Sequence, residues 1–340
     1  MKTTARAALL VALLVPGCTP TREGPKETGA PSATTAAPPP TTSTANTGAP
    51  TADTAPTATA SAGDEPMRCP KILADARRDG TIPNRFVVAT EPEITAIRKA
   101  TEALLAGQRK VAEAEATKAG FEVKDLPEWK GVVALVESGR QRGGGAYVVR
   151  VGSTSTLLVQ TPHTFFDEGT FPLGCDFFER SNARAWFLNT MHRYKGAPKD
   201  ARGDHPSDVA HAPATLFQAA TEGAVNALKT PTVIQLHGFA NREVTSRAVV
   251  SSGERKGGSA MTAKIAKAFG AAVGGDVQRY PEDTKELGAT TNVQGALVRS
   301  RGGVFVHVEM SGDLRRDLQR DDALRKKAFD ALIGALGAGG

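Results

Sequence analysis

Aromatic residues make up only 5% of this 340-residue chain, and its two tryptophans and three tyrosines form no cluster with basic side chains. The formal net charge is +6, with Lys and Arg scattered among Asp and Glu. Neither a stacking platform nor a basic stripe is present, so no nucleic acid is expected as a partner. Several catalytic signatures are also missing. The chain has no His-Glu-x-x-His, Gly-x-Ser-x-Gly, Ser-x-x-Lys, Walker loop or Gly-x-Gly-x-x-Gly, which removes the commonest helix-borne zinc, serine-nucleophile and nucleotide sites. The run from Gly253 to Gly258 is a glycine-rich loop and no more.

The one long apolar stretch near the start, Ala7 to Val15, follows Lys2 and Arg6 and is too short to cross a bilayer as a mature helix. It reads as a signal peptide over 1–18. The closing Val15-Pro16-Gly17-Cys18 resembles a bacterial lipobox, in which Cys18 would become the lipidated first residue, although Pro16 is not the usual choice. Ordinary signal cleavage nearby is the alternative. A lipid at Cys18 implies a membrane partner and an envelope location, on the outer membrane facing the periplasm. Residues 19–66 are nearly all Thr, Ala, Pro, Ser and Gly, too poor in apolar side chains to order themselves. This tether of about 48 residues would reach on the order of 150 Å when extended at ~3.1 Å per residue. Only three cysteines occur in all. With Cys18 lipidated, Cys69 and Cys175 remain, and both a disulfide between them and two buried thiols fit the sequence.

The remaining residues suffice for one large domain. In 67–156, Thr90-Glu91-Pro92-Glu93 has the form of a capping box ahead of a long amphipathic helix ending near Gly120, and a hairpin follows over Val132 to Val136 and Ala146 to Val151. In 157–340, strands and helices alternate. Strands are expected at Leu157 to Val159, Thr232 to Leu236 and Val304 to Val308, and helices at Phe178 to Tyr194, Ser207 to Leu228, Ser259 to Phe269 and through Leu324 to Leu336. This predicts an α/β fold, a mostly parallel or mixed sheet with helices on both faces, and functional groups at strand ends.

All six histidines, at 163, 192, 205, 211, 237 and 307, lie within one segment of the chain. His163, His237 and Glu309 each stand at or just past the end of an apolar run of strand character, and Glu179 is expected at the head of a helix. Two imidazoles and a carboxylate form the ligand set of a catalytic zinc that keeps a fourth position open, and a second carboxylate is then available as base.

These segments resemble the type-3 family of zinc-dependent N-acetylmuramoyl-L-alanine amidases. Thr161-Pro162-His163 stands for the strand end that carries that family's first ligand, and Asp167 and Gly169 fall at its Asp and Gly offsets. Glu179 with Asn182 resembles its Glu ligand and trailing Asn, Gln235 to Asn241 its second His motif, and Val306-His307-Val308-Glu309 its catalytic Glu strand. The resemblance runs from Leu157 to Leu336 through short motifs. Thr164-Phe165 replaces the family's double glycine, and Met310 to Asp313 departs from its usual sequence after the base. It implies a Zn2+ held by His163, Glu179 and His237, with Glu309 as acid-base group and peptidoglycan as substrate.

His307 projects from the same strand face as Glu309 and fits a further ligand, an oxyanion donor, a supporting partner of the metal ligands or a half-buried structural His. Asp167 is expected to orient His163, and Glu168 is the rival to Glu179 as ligand. His211 is placed beside the pocket or on the surface, and His192 is given a structural role. Other readings of the chain are a zinc carboxypeptidase, an N-acyl amino acid amidohydrolase on a peptide-like substrate, and a non-catalytic lipoprotein binding module.

Overall fold

The computed structural model describes residues 69–240 and 245–337. Cys18, the tether and Asn241 lie outside them.

The chain opens with α1 (Lys71–Ala76), α2 (Glu91–Leu105) and α3 (Arg109–Lys118), then β1 (Phe121–Asp125), β2 (Val132–Glu137), β3 (Ala146–Arg150) and β4 (Leu157–Thr161). It continues through α4 (Thr170–Arg180), β5 (Ala185–Leu188), α5 (Leu216–Leu228), β6 (Thr232–Phe239), β7 (Ala248–Ser251) and α6 (Ala260–Val273). The last elements are β8 (Val277–Tyr280), α7 (Val293–Ser300), β9 (Val304–Ser311), α8 (Gly312–Arg320) and α9 (Asp322–Leu336).

The strands form one nine-stranded mixed sheet in the order β1-β2-β3-β5-β4-β6-β9-β7-β8. The hairpin β2–β3 enters this sheet because β3 pairs antiparallel with β5, so the segment 69–156 shares the sheet of the segment that follows it. The centre, β5-β4-β6-β9, is parallel. From β4 the chain moves to β5 on one side and afterwards to β6 on the other. That reversal makes the C-terminal ends of β4 and β6 the switch point where such sheets open a crevice.

Side-chain alternation gives the central strands two different faces. Val159, Ile234, Leu236, Val306 and Val308 pack with residues of α4, α6, α8 and α9, including Phe177, Phe269 and Phe329. Each such buried side chain contributes about 1.5–3 kcal/mol. On the opposite face Leu158, Val233 and Phe305 pack with α2, α5 and α7. Further along that second face the row turns polar, to Gln160, Gln235 and His307, and then to His237 and Glu309. The face thus runs from hydrocarbon to amide to ionisable groups along the direction of the strands.

Local departures from the sequence expectations have physical causes. The capping box forms, with the Thr90 N–H donating to the Glu93 carboxylate at 2.8 Å. The long helix behind it is divided into α2 and α3 by Gly107, whose φ of +74° reverses the chain. A helix over Phe178 to Tyr194 is not formed. Phe178 lies in the last turn of α4, and the Ala-Trp-Phe-Leu run is β5, buried along its whole length. The helix expected from Ser207 begins only at Leu216, capped by the Thr215 side chain, which accepts from the Gln218 N–H at 3.1 Å. Cys69 is joined to Cys175, tying the segment ahead of α1 to the middle of α4.

Candidate metal centre

His163 follows β4 directly, and the turn behind it is closed by the Asp167 N–H donating to the His163 carbonyl at 2.8 Å. That turn brings the Asp167 carboxylate back over the strand end. Its Oδ2 lies 3.4 Å from His163 Nδ1 and 3.1 Å from His237 Nδ1. All three side chains are buried. Register places Glu309 of β9 directly beside His237 of β6. His307, two residues earlier on β9, has its Nε2 3.6 Å from Glu309 Oε1. These groups line a cavity of about 210 Å³, together with Arg193, His211, Thr291 and Asn292. A larger groove of about 1050 Å³ opens beside it and shares His211 and Thr291 as lining.

Glu179 does not join this group. It is an exposed residue near the C-terminal end of α4, because the helix begins at Thr170 and not near Phe178. Asp167, expected from sequence to orient His163, is the carboxylate that lies between the two imidazoles. Glu168 is exposed as well. His211 lines the cavity, with its Nδ1 3.2 Å from Asp208 Oδ1. His192 uses its Nδ1 to accept from the backbone N–H groups of Tyr194 and Lys195 at 3.1 and 3.3 Å, a local turn contact.

Three further residues went unrecognised in the sequence. Asp208 Oδ1 lies 2.9 Å from His163 Nε2, Arg193 Nε donates to Asp208 Oδ2 at 3.1 Å, and Arg193 Nη1 lies 3.3 Å from His163 Nδ1. Asp208 Oδ1 therefore accepts from His163 Nε2, and against the effect of burial the Asp167 and Asp208 carboxylates raise this imidazole above its ordinary pKa. Gln235 Oε1 lies 3.1 Å from His237 Nε2, on the side of the ring away from Asp167. Asp208 stands three residues before His211, and Gln235 two before His237. Those short offsets were the only sequence signal.

The electrostatics follow from burial and from Asp167. Burial lowers His237 to about 4, partly offset by its bond to Asp167. Burial likewise drives His307 down, with His237 adding to the effect. Asp167 ends well below the ordinary carboxylate range, because the two imidazoles overcome the effect of burial. Glu309 is pushed up to about 8 by burial and by the charge of Asp167.

The residues present fit a cation. Two imidazoles and a carboxylate are cation-ligating groups, and they converge here, with His163 Nδ1 3.4 Å and His237 Nδ1 3.1 Å from Asp167 Oδ2. Ligand atoms around a tetrahedral zinc at ~2.0–2.1 Å are spaced roughly 3.3 Å apart, matching the 3.1 and 3.4 Å seen here. Among the described residues, His307 Nδ1 and Glu309 Oε2 are buried without a hydrogen-bond partner.

No known protein family matches the chain, and no curated protein matches it. Solved structures do resemble it. One described as YNDL-apo (zinc-free) is 16% identical, with 57% of this chain and 90% of that one covered and a TM-score of 0.38. N-formylglutamate amidohydrolase from Ralstonia eutropha JMP134 is 10% identical, covering 55% and 95%, with a TM-score of 0.35. A metallo-carboxypeptidase from Burkholderia cenocepacia is 12% identical, covering 74% and 70%, with a TM-score of 0.37.

Proposed function

We propose that this chain is a zinc-dependent hydrolase of an amide bond in an N-acyl amino acid or a peptide-like substrate. The observation that carries the reading is the convergence of His163 Nδ1 and His237 Nδ1 on Asp167 Oδ2, with Glu309 held beside His237. His163, Asp167 and His237 would hold the ion. When bound, it supplies polarisation of a carbonyl and acidification of a water.

The chain's own residues supply the proton chemistry. Glu309 is buried, its Oε2 is unpaired among the described residues, and its basicity is raised. It is fitted to accept a proton from water and to return it to the departing amine. Asp208 and Gln235 hold the two imidazoles in one orientation each, which spares the site that reorganisation. His307 remains neutral and can offer one N–H to developing negative charge on the substrate oxygen.

Muramoyl-L-alanine bonds in peptidoglycan belong to the same chemical class but carry less support, since Glu179, which the resemblance named as ligand, stands outside the site. The deciding experiment is zinc analysis with product analysis on three panels: N-acyl amino acids, peptides with free C-termini, and muropeptides. One zinc per chain and release of an amino acid from the first or second panel support the reading. Zinc-free protein after reconstitution, or no hydrolysis in any panel, overturns it.

A further inference from the structure

The turn that carries the ligand cluster also begins a row of exposed aromatic rings. Phe166 stands in that turn, its N–H donating to the His163 carbonyl at 3.0 Å, with Asp167 next in the chain. Its ring meets Tyr194 edge-on at 5.0 Å, and Tyr194 meets His205 at 5.0 Å. The Arg193 guanidinium lies 4.6 Å from the centre of the Tyr194 ring. Held by these three neighbours, Tyr194 has little freedom left to lose when something rests on it. Yet Phe166 and Tyr194 are 47% and 41% exposed. Single exposed apolar side chains are ordinary, whereas a contiguous row leading away from a site marks a place for a ligand.

The row runs into the larger groove. Tyr194 and His205 line it together with Val88, itself 56% exposed, Pro206 and Pro213. The cavity of about 210 Å³ at the ligand cluster is smaller than the ~300–1,000 Å³ of pockets that enclose a whole small ligand. It takes the reacting group and little more. The groove of about 1050 Å³ shares His211 and Thr291 with it and has room for several further residues of a chain. Charge narrows the choice of chain. Lys199 and Arg202 in the lining are matched by Asp200 and Asp204, with Arg202 Nη2 3.0 Å from Asp200 Oδ2, and Asp208 is taken up by Arg193. Equal numbers of both signs do not steer a polyanion or a polycation. The apolar lining instead favours burial of apolar side chains.

We propose that the substrate is an extended peptide-like chain and not a single N-acyl amino acid, and that Tyr194 is a specificity-determining residue on which an apolar or aromatic side chain of it rests, away from the scissile bond. Cleavage of that chain rests on the hydrolase reading of the preceding subsection, whereas its binding along the groove does not.

The test uses the full-length, zinc-reconstituted protein and N-acyl peptides from one residue to six, carrying Phe, Leu, Ala or Glu at positions distant from the cleaved bond. Values of kcat/KM should rise with length and be greater for Phe or Leu than for Ala or Glu. Tyr194→Ala should lower kcat/KM about 3–10-fold on the long apolar peptides, the range of one aromatic contact, and leave the single-residue substrates unchanged. Tyr194→Phe should behave as wild type. Rates independent of length, a preference for Glu, cleavage of muropeptides alone, or an equal loss on short and long substrates in Tyr194→Ala would each overturn the proposal. If nothing in the series is cleaved, the hydrolase reading fails and calorimetry with the longest Phe peptide decides the groove. Binding by wild type that weakens to the same degree in Tyr194→Ala upholds it, and no binding, or equal binding by both proteins, overturns it.

Discussion

Glu309 and His237 are register partners across the β6–β9 ladder and stand on the same face of the sheet. Their separation is therefore set by strand spacing and not by a mobile loop. If Glu309 is the base and His237 a ligand, as proposed, they would keep their relation while substrate comes and goes.

Replacing Glu309 by Gln preserves shape and removes the proton acceptor. We expect zinc content to remain at wild-type level while turnover on the best substrate falls by about 10²–10⁴. Steady-state rates measured beside elemental analysis check this. Loss of zinc and turnover together would instead make Glu309 a ligand.

In the metal-free protein Glu309 should contribute a loss of stability with rising pH across a defined window, against the rise that the lowered His237 and His307 contribute below about 6.5. Glu309 titrates at about 8 when folded against an ordinary 4.5. Below 4.5 both states are protonated and the group contributes nothing. Between 4.5 and 8 the unfolded chain ionises while the folded chain does not, so stability declines, and beyond 8 this contribution is constant. In denaturant midpoints from pH 5 to 9, wild type should fall steadily relative to Glu309→Gln until about pH 8 and run parallel to it beyond.

Gly238 is needed for its lack of a side chain. A Cβ there would meet Arg315 Nη1 at 1.9 Å. That guanidinium crosses the end of β6 to bond the carbonyl of Met310, and its Nε donates to the Glu168 carbonyl at 2.7 Å. Gly238→Ala should cost about 1–3 kcal/mol by overpacking, and Arg315→Ala in the same chain should relieve part of it. Equal midpoints for Gly238→Ala and wild type in urea would show that the arginine moves aside freely.

The Cys69–Cys175 bridge closes a loop with a sequence separation of 106. Its removal by Cys69→Ser/Cys175→Ser should lower unfolding free energy by about 2–5 kcal/mol, measured by denaturant melts with and without reductant. The double variant should no longer respond to reductant.

How far the site could be read from sequence followed from where its groups sit. His163, His237 and Glu309 could be placed near strand C-termini because each closes an apolar run, although β6 and β9 continue two residues past His237 and Glu309. Glu179 misled because the start of α4 rests on Gly169, whose φ of +89° launches the helix early. Nothing periodic marks that position, and an error of eight residues carried the glutamate from the head of the helix to its tail. The mixed α/β sheet was visible from the alternation of runs, whereas β5 was not, since a short strand buried on both faces lacks the polar residues that would show its period. Arg193, Asp208 and Asn292 arrive from turns and a helix cap. Their role depends on the chain closing around β4 and β6, which local pattern does not encode.

The row of buried amides beneath the cluster, Gln160, Gln235, Asn292 and Gln294, has a consequence for how this site can change. Each of its members serves several partners at once, so an apolar or charged replacement orphans more than one buried group. The floor is therefore brittle to mutation. At the rim between the small cavity and the wider groove, His211 is tied to Asp208 and through it to His163, so Thr291 is the shared lining residue outside that network. New substrate preferences would be acquired there, with the chemistry beneath left unaltered.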